Sequence, residues 1–145
     1  MLLCHTACVR VELTNEIDRW LTRLEGQANG GNAHASEQLD YVTAALELLD
    51  DLTEPPTTES VQLKRVRQSR QHQLWRTSHP FHRGIAIRLI CWFPPDADSV
   101  VVAVLAGDKA RIGDVFYDSV GTRADAAINT WLMHREEEED RGRGR

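Results

Sequence analysis

Residues 60–95 of this 145-residue chain hold seven cations (Lys64, Arg65, Arg67, Arg70, Arg76, Arg83 and Arg88), three histidines and no carboxylate. The rest is acidic. Residues 1–59 hold three bases and eleven acids, giving -8; residues 96–134 give -3 and 135–145 give -1, so the formal net charge is -5. A cationic stretch on an acidic protein is a local source of positive field, and its natural partner is an anion. Arginine suits phosphate in particular, because its planar fork meets two oxygens at once. The run Lys64-Arg65-Val66-Arg67-Gln68-Ser69-Arg70 reads as a surface that contacts phosphates without reading sequence. A solvated turn, or a docking patch for an acidic partner, is the alternative.

These side chains need elements to hold them. Val9-Arg10-Val11-Glu12-Leu13 alternates apolar and polar at period two, which predicts a half-buried strand. Asn15 is a good N-cap with Asp18 at the third helical position, and Ile17, Trp20, Leu21 and Leu24 recur along one helical face. This predicts a helix ending before Gly26, with the glycine- and asparagine-rich residues 26–32 as a connection. A second helix is expected over about 33–52, on the stripe Leu39, Val42, Leu46 and Leu49, widened by Tyr41, Ala45, Leu48 and Leu52. Pro55-Pro56 stops it.

Beyond Glu59 the pattern turns to β-structure. Residues 61–66 form a short strand or a basic turn, 73–78 a strand around Trp75, and 85–93 a β-branched and aromatic strand. Pro94-Pro95-Asp96-Ala97-Asp98 reads as the turn into a central strand over 99–105, antiparallel to its predecessor. Residues 112–118 predict a helical turn, and Ala124, Ala127, Ile128 and Trp131 a terminal helix. Trp20, Trp75, Trp92 and Trp131 are assigned to the core. The expected fold class is α+β: an N-terminal strand and a helical hairpin packed on a small, mainly antiparallel sheet, with a C-terminal helix. Residues 1–8 are expected to be disordered or extended, 9–134 to form one domain, and 135–145 to be a disordered charged tail.

Composition excludes several classes. With 41% hydrophobic and 27% charged residues, the chain is neither collagen-like nor wholly disordered. Its longest apolar run, residues 99–106, is far short of the roughly 20 residues of a membrane span, and residues 2–9 lack the basic flank of a signal peptide, so no membrane association is expected. Cys4, Cys8 and Cys91 show no paired spacing, which fits a reducing cytoplasm. Cys4-His5-Cys8 lacks the second pair that a zinc site needs, so neither metal nor cofactor is expected.

The order strand, helix, helix, three strands, helix resembles that of the RelE/ParE toxin superfamily. Leu74-Trp75-Arg76 and Ile87-Arg88-Leu89 resemble two of its characteristic strands, and Val104-Leu105-Ala106-Gly107-Asp108-Lys109 resembles its strand that ends in a basic residue. Val115-Phe116-Tyr117 with the following helix resembles the HigB-like, phage-derived Gp49-like branch. The resemblance covers roughly residues 9–134. It implies the toxin of a type II toxin–antitoxin system, held inactive by a cognate antitoxin, a small helix-turn-helix protein. RelE-like members cleave messenger RNA on the ribosome and ParE-like members inhibit DNA gyrase. The first activity is the one expected here; a gyrase inhibitor and a non-catalytic RelE-fold binding protein are the alternatives.

Metal-independent RNA cleavage needs an attacking 2′-OH, two proton transfers and stabilisation of the charge on the phosphorane. Arg76 and Arg88, on neighbouring strands, are the expected stabilisers, with Lys109 completing the cluster. Arginine is no base at neutral pH, so proton transfer falls to Lys109, Tyr117 or Asp108. Lys64, Arg65, Arg67 and Arg70 are the expected RNA contacts. His72, His79 and His82 read as surface histidines. RNA-cleaving members carry a basic or aromatic cluster near the C-terminus, where this chain offers only His134 and Arg135.

Overall fold

Alternating polarity builds strand β1 (Arg10–Leu13), and the helical stripe takes over in α1 (Asn15–Asn29). The computed structural model describes residues 9–67, 71–78, 87–95, 97–106 and 109–143, with backbone alone at 106, 109–119 and 143. Thr14, one residue before the expected Asn15, is the cap position of α1, yet its hydroxyl does not cap the helix. It donates instead to the Ala103 carbonyl, at 2.8 Å. The helix passes through Gly26 because one exposed glycine costs only about 1 kcal/mol relative to alanine. It stops at Gly30 and Gly31, where Gly31 takes a φ of 94° that favours glycine. Asn32 then caps α2 (Ala33–Asp50), its side chain accepting from the Ala35 N–H at 3.0 Å.

Four strands follow: β2 (Leu63–Val66), β3 (Leu74–Thr77), β4 (Arg88–Trp92) and β5 (Ser99–Ala106). The sheet order is β1-β5-β4-β3-β2, with β1 parallel to β5 and the other pairings antiparallel. The fold is thus α+β with a five-stranded mixed sheet. Ile90 pairs with Val104 while Cys91 pairs with Val102, so Ala103 is the extra residue of a bulge. Its carbonyl is the one Thr14 satisfies, which ties the start of α1 to the centre of the sheet.

Helices cover both faces. The α1–α2 hairpin buries Ile17, Val42 and Leu49 against Trp75, Leu89, Cys91, Val100 and Val102. On the opposite face Val120, Ala124 and Ile128 pack on Leu74, Ile90, Trp92, Val101 and Val104. Burial from both sides is why β4 and β5 read as nearly continuous apolar runs. Trp75 and Trp92 are core; Trp20 and Trp131 sit half-buried at its margins.

The last helix, α3 (Lys109–Arg143), joins the expected helical turn and terminal helix into one element. Residues 135–143 are also helical, where the charge block reads as a disordered tail; nearly all of these side chains lie in solvent, with an Arg135–Glu139 pair along the helix and Arg135 over the Trp131 ring. Truncation after His134 is expected to lower stability by no more than about 1 kcal/mol, read by urea unfolding, because only these surface contacts are lost. Among the described residues no helix is long and apolar enough to cross a membrane.

Cys91 is fully buried, and burial pushes its thiol up to about 12 from 9.0. Its folded pKa lies above the unfolded one, so its contribution is intact below pH 9 and is lost as pH rises towards 12. With Cys4 and Cys8 replaced by serine, the Cys91 contribution to stability is expected to fall over that window by at most about 1.4 kcal/mol per pH unit, read as the difference from a Cys91→Ala variant. At neutral pH the Cys91 thiol should label only at the rate of global unfolding. Rapid labelling of folded protein would show that the two-sided core is open.

Candidate nucleic-acid interface

Strand alternation sorts the cations. Leu63 belongs to the core under α1 and α2 and Val66 to the core under α3, so Lys64 shares the α3 side of the sheet and Arg65 the other. Lys64 pairs with Arg76, and Arg76 with Ile90; the Arg88 backbone, two residues before Ile90, lies one diagonal step away, but its guanidinium engages Tyr41 of α2, which belongs to the core of the other face. Directly opposed residues hold their Cβ atoms about 5 Å apart and diagonal ones about 7–8 Å. α3 lies over β5 and, to a smaller extent, β4. The half-buried Lys64 and Arg76 therefore stand on the β2–β3 half of this face, beside the helix rather than beneath its core-forming stripe.

Arg88 is half-buried and anchored. Its Nη1 donates to the Tyr41 hydroxyl at 2.6 Å and to the Ile87 carbonyl at 3.0 Å, which leaves the Nε–Nη2 edge as the fork that an anion would meet. Burial pushes the Tyr41 hydroxyl above the ordinary phenol range, against the opposing pull of the Arg88 charge. Tyr41 thus stays neutral and holds the guanidinium in place from α2. Sequence reasoning placed Tyr41 in the apolar stripe; a hydroxyl within that stripe was the signal that it needed a polar partner.

Lys109 opens α3 three residues after Ala106, the register partner of Arg88. The backbone path thus brings Lys109 to the end of the sheet where Arg88 stands. The side chains of Lys109 and Tyr117 lie outside the described residues, as do Asp108, Arg70, His79 and His82 entirely.

The basic run is divided rather than continuous. Arg65 lies over the Trp75 ring at 5.3 Å and donates from Nη2 to the Thr57 carbonyl at 3.3 Å. Glu59 accepts from the Arg65 backbone N–H at 3.0 Å and faces Arg67 at 3.8 Å. The backbone hydrogen bond, then the neighbouring cations, hold the Glu59 carboxyl below its usual range. Ser60 meets both the N–H and the carbonyl of Leu63. Much of the outer edge of β2 is therefore already paired, which blocks addition of a further strand there.

His72 is half-buried, unlike the surface histidine expected. Its ring lies 4.8 Å from that of Trp92, and its Nε2 meets the Asn129 carboxamide oxygen at 2.9 Å. Asp125, 4% exposed, accepts from the backbone N–H groups of Gln71 and His72, both at 3.2 Å. This cluster fastens the entry to β3 onto α3. No group of three metal-ligating side chains occurs among the described residues.

No protein-family model, curated protein or solved structure matches the chain. The chemistry of the site therefore rests on its own geometry. Lys64 and Arg76, directly opposed on neighbouring strands, can hold a phosphate and stabilise added charge on it, while Arg88 offers its free edge from beside Tyr41 of α2; proton transfer requires a group beyond Lys64, Arg76 and Arg88.

Proposed function

We propose that this chain is a RelE/ParE-type toxin that cleaves messenger RNA on the ribosome without a metal and is restrained by a small helix-turn-helix antitoxin. The observation that carries this reading is the opposed pair Lys64 and Arg76 beside α3, with Arg88 anchored by Tyr41 at the end of β4 near which α3 begins at Lys109. The element order, a strand and a helical hairpin before the remaining strands and a terminal helix, supports the same reading, although four strands follow the hairpin where the resemblance implies three. Arg76 and Arg88 stabilise the phosphorane, Lys64 positions the backbone, and Lys109 and Tyr117 are the groups proposed for proton transfer.

Expression of the chain alone should stop growth of a bacterial host, and co-expression of the antitoxin should restore it. Unaffected growth at good soluble expression would overturn the proposal. A non-catalytic binding protein of the same fold is the second reading, favoured by the commitment of Arg65 and Arg67 to Trp75, Thr57 and Glu59. Messenger RNA that is bound but never cut would select it.

A further inference from the structure

On the sheet face opposite Lys64 and Arg76, the ends of β3 and β4 border a cleft of about 450 Å³, lined in part by Pro55, Pro56, Gln73, Trp75, Phe93 and Asp98. We propose that this cleft binds a guanine base, as the free nucleotide or within single-stranded RNA; its role as an RNA subsite rests on the reading above.

The volume lies within the usual range for small-molecule sites. Its walls suit a flat ring. The half-buried Phe93 is the ring open to stacking, held edge to face against the buried Trp75 at 86° with centroids 6.5 Å apart, and the prolines add flat apolar surface. Unstacked RNA bases are recognised in this way, by stacking on aromatic side chains and by hydrogen bonds to their pairing edge. Phosphate charge has a partner at the rim, where the exposed Arg65 guanidinium lies over Trp75.

One polar group chooses the base. Among the described residues no side chain pairs with the exposed Asp98 carboxylate, although its backbone carbonyl accepts from the Arg10 N–H. A carboxylate has two acceptors side by side. Guanine alone presents two adjacent donors, N1–H and the N2 amine, on one edge. Adenine and cytosine place an acceptor next to their amine, and uracil flanks one donor with two acceptors. Because β2 is an edge strand with Lys64 and Arg65 on opposite faces, a single strand crossing that edge meets both residues.

The test titrates the full chain with the 5′-monophosphates of guanosine, adenosine, cytidine and uridine by calorimetry. Guanosine monophosphate should bind at least about tenfold more tightly than the others, as one bidentate pair provides. Asp98→Asn keeps shape and exposure but replaces one acceptor with a donor, and should erase that preference; Phe93→Ala should weaken all four. Equal binding of the four, binding of none, or a preference that survives Asp98→Asn would overturn the site. Messenger cleavage, measured separately, does not depend on this preference, so either proposal can fail while the other stands.

Discussion

Alanine at position 88 is expected to slow RNA cleavage by on the order of 100- to 1,000-fold, the usual consequence of removing one preorganised charge donor from a transition state. Stability falls as well. Sequence reasoning expects Arg88→Ala to leave the fold nearly unchanged, but its Nη1 is the donor to the buried Tyr41 hydroxyl. Leaving that oxygen without its partner costs about 1–3 kcal/mol. Two controls separate the effects. Arg88→Lys retains charge without the fork and should restore cleavage only in part. Tyr41→Phe retains the guanidinium and removes its anchor, so it should cost about 1 kcal/mol of stability and less activity than Arg88→Ala. Cleavage rates corrected for the folded fraction decide the matter, and a folded Arg88→Ala that cuts as fast as the parent would move the site elsewhere.

Ile90→Ala should have the largest effect on stability, about 2–5 kcal/mol, with a fall in Tm on the order of 10 °C. Ile90 is 0% exposed and lies between its register partners Arg76 and Val104, in the core that Val120, Ala124 and Ile128 cover. Truncating it opens a cavity under α3 and loosens the strand that supports Arg76. Ile90→Val should cost only about 0.5–1.5 kcal/mol. A loss below about 0.5 kcal/mol for Ile90→Ala is the range of an exposed position and would contradict the packing of α3 on this face.

Elements were legible where periodicity alone decides them. The stripe of α2, the alternation of β1 and the apolar run of β5 are local patterns, and each element stands within a few residues of its expected span. Boundaries set by more distant contacts were not legible. The cap of α1 depends on a carbonyl 89 residues away, exposed by a bulge that no local pattern announces. α3 read as two pieces because Gly121, between them, weakens a helix locally, although the backbone continues through it.

The site was legible in part. Period-two alternation within β2 already separates Lys64 from Arg65, since adjacent strand residues point to opposite faces. The engagement of Arg65 with Trp75 and of Arg67 with Glu59 depends on strand pairing and on the course of residues 53–60, which composition does not set. The Arg88–Tyr41 bond joins residues 47 apart in the chain and on different elements. His72 read as exposed because Pro80 suggested a loop, whereas Trp92 and Asn129 enclose it.

The central claim is cleavage of messenger RNA by the positively charged face beside α3, and mapping of RNA ends in a translating extract tests it most directly. Attack by the neighbouring 2′-OH predicts fragments ending in a 2′,3′-cyclic phosphate, formed by the parent and largely absent with Arg88→Ala. Intact messenger in the presence of folded parent protein, or fragments with free 3′-hydroxyl ends, would contradict it.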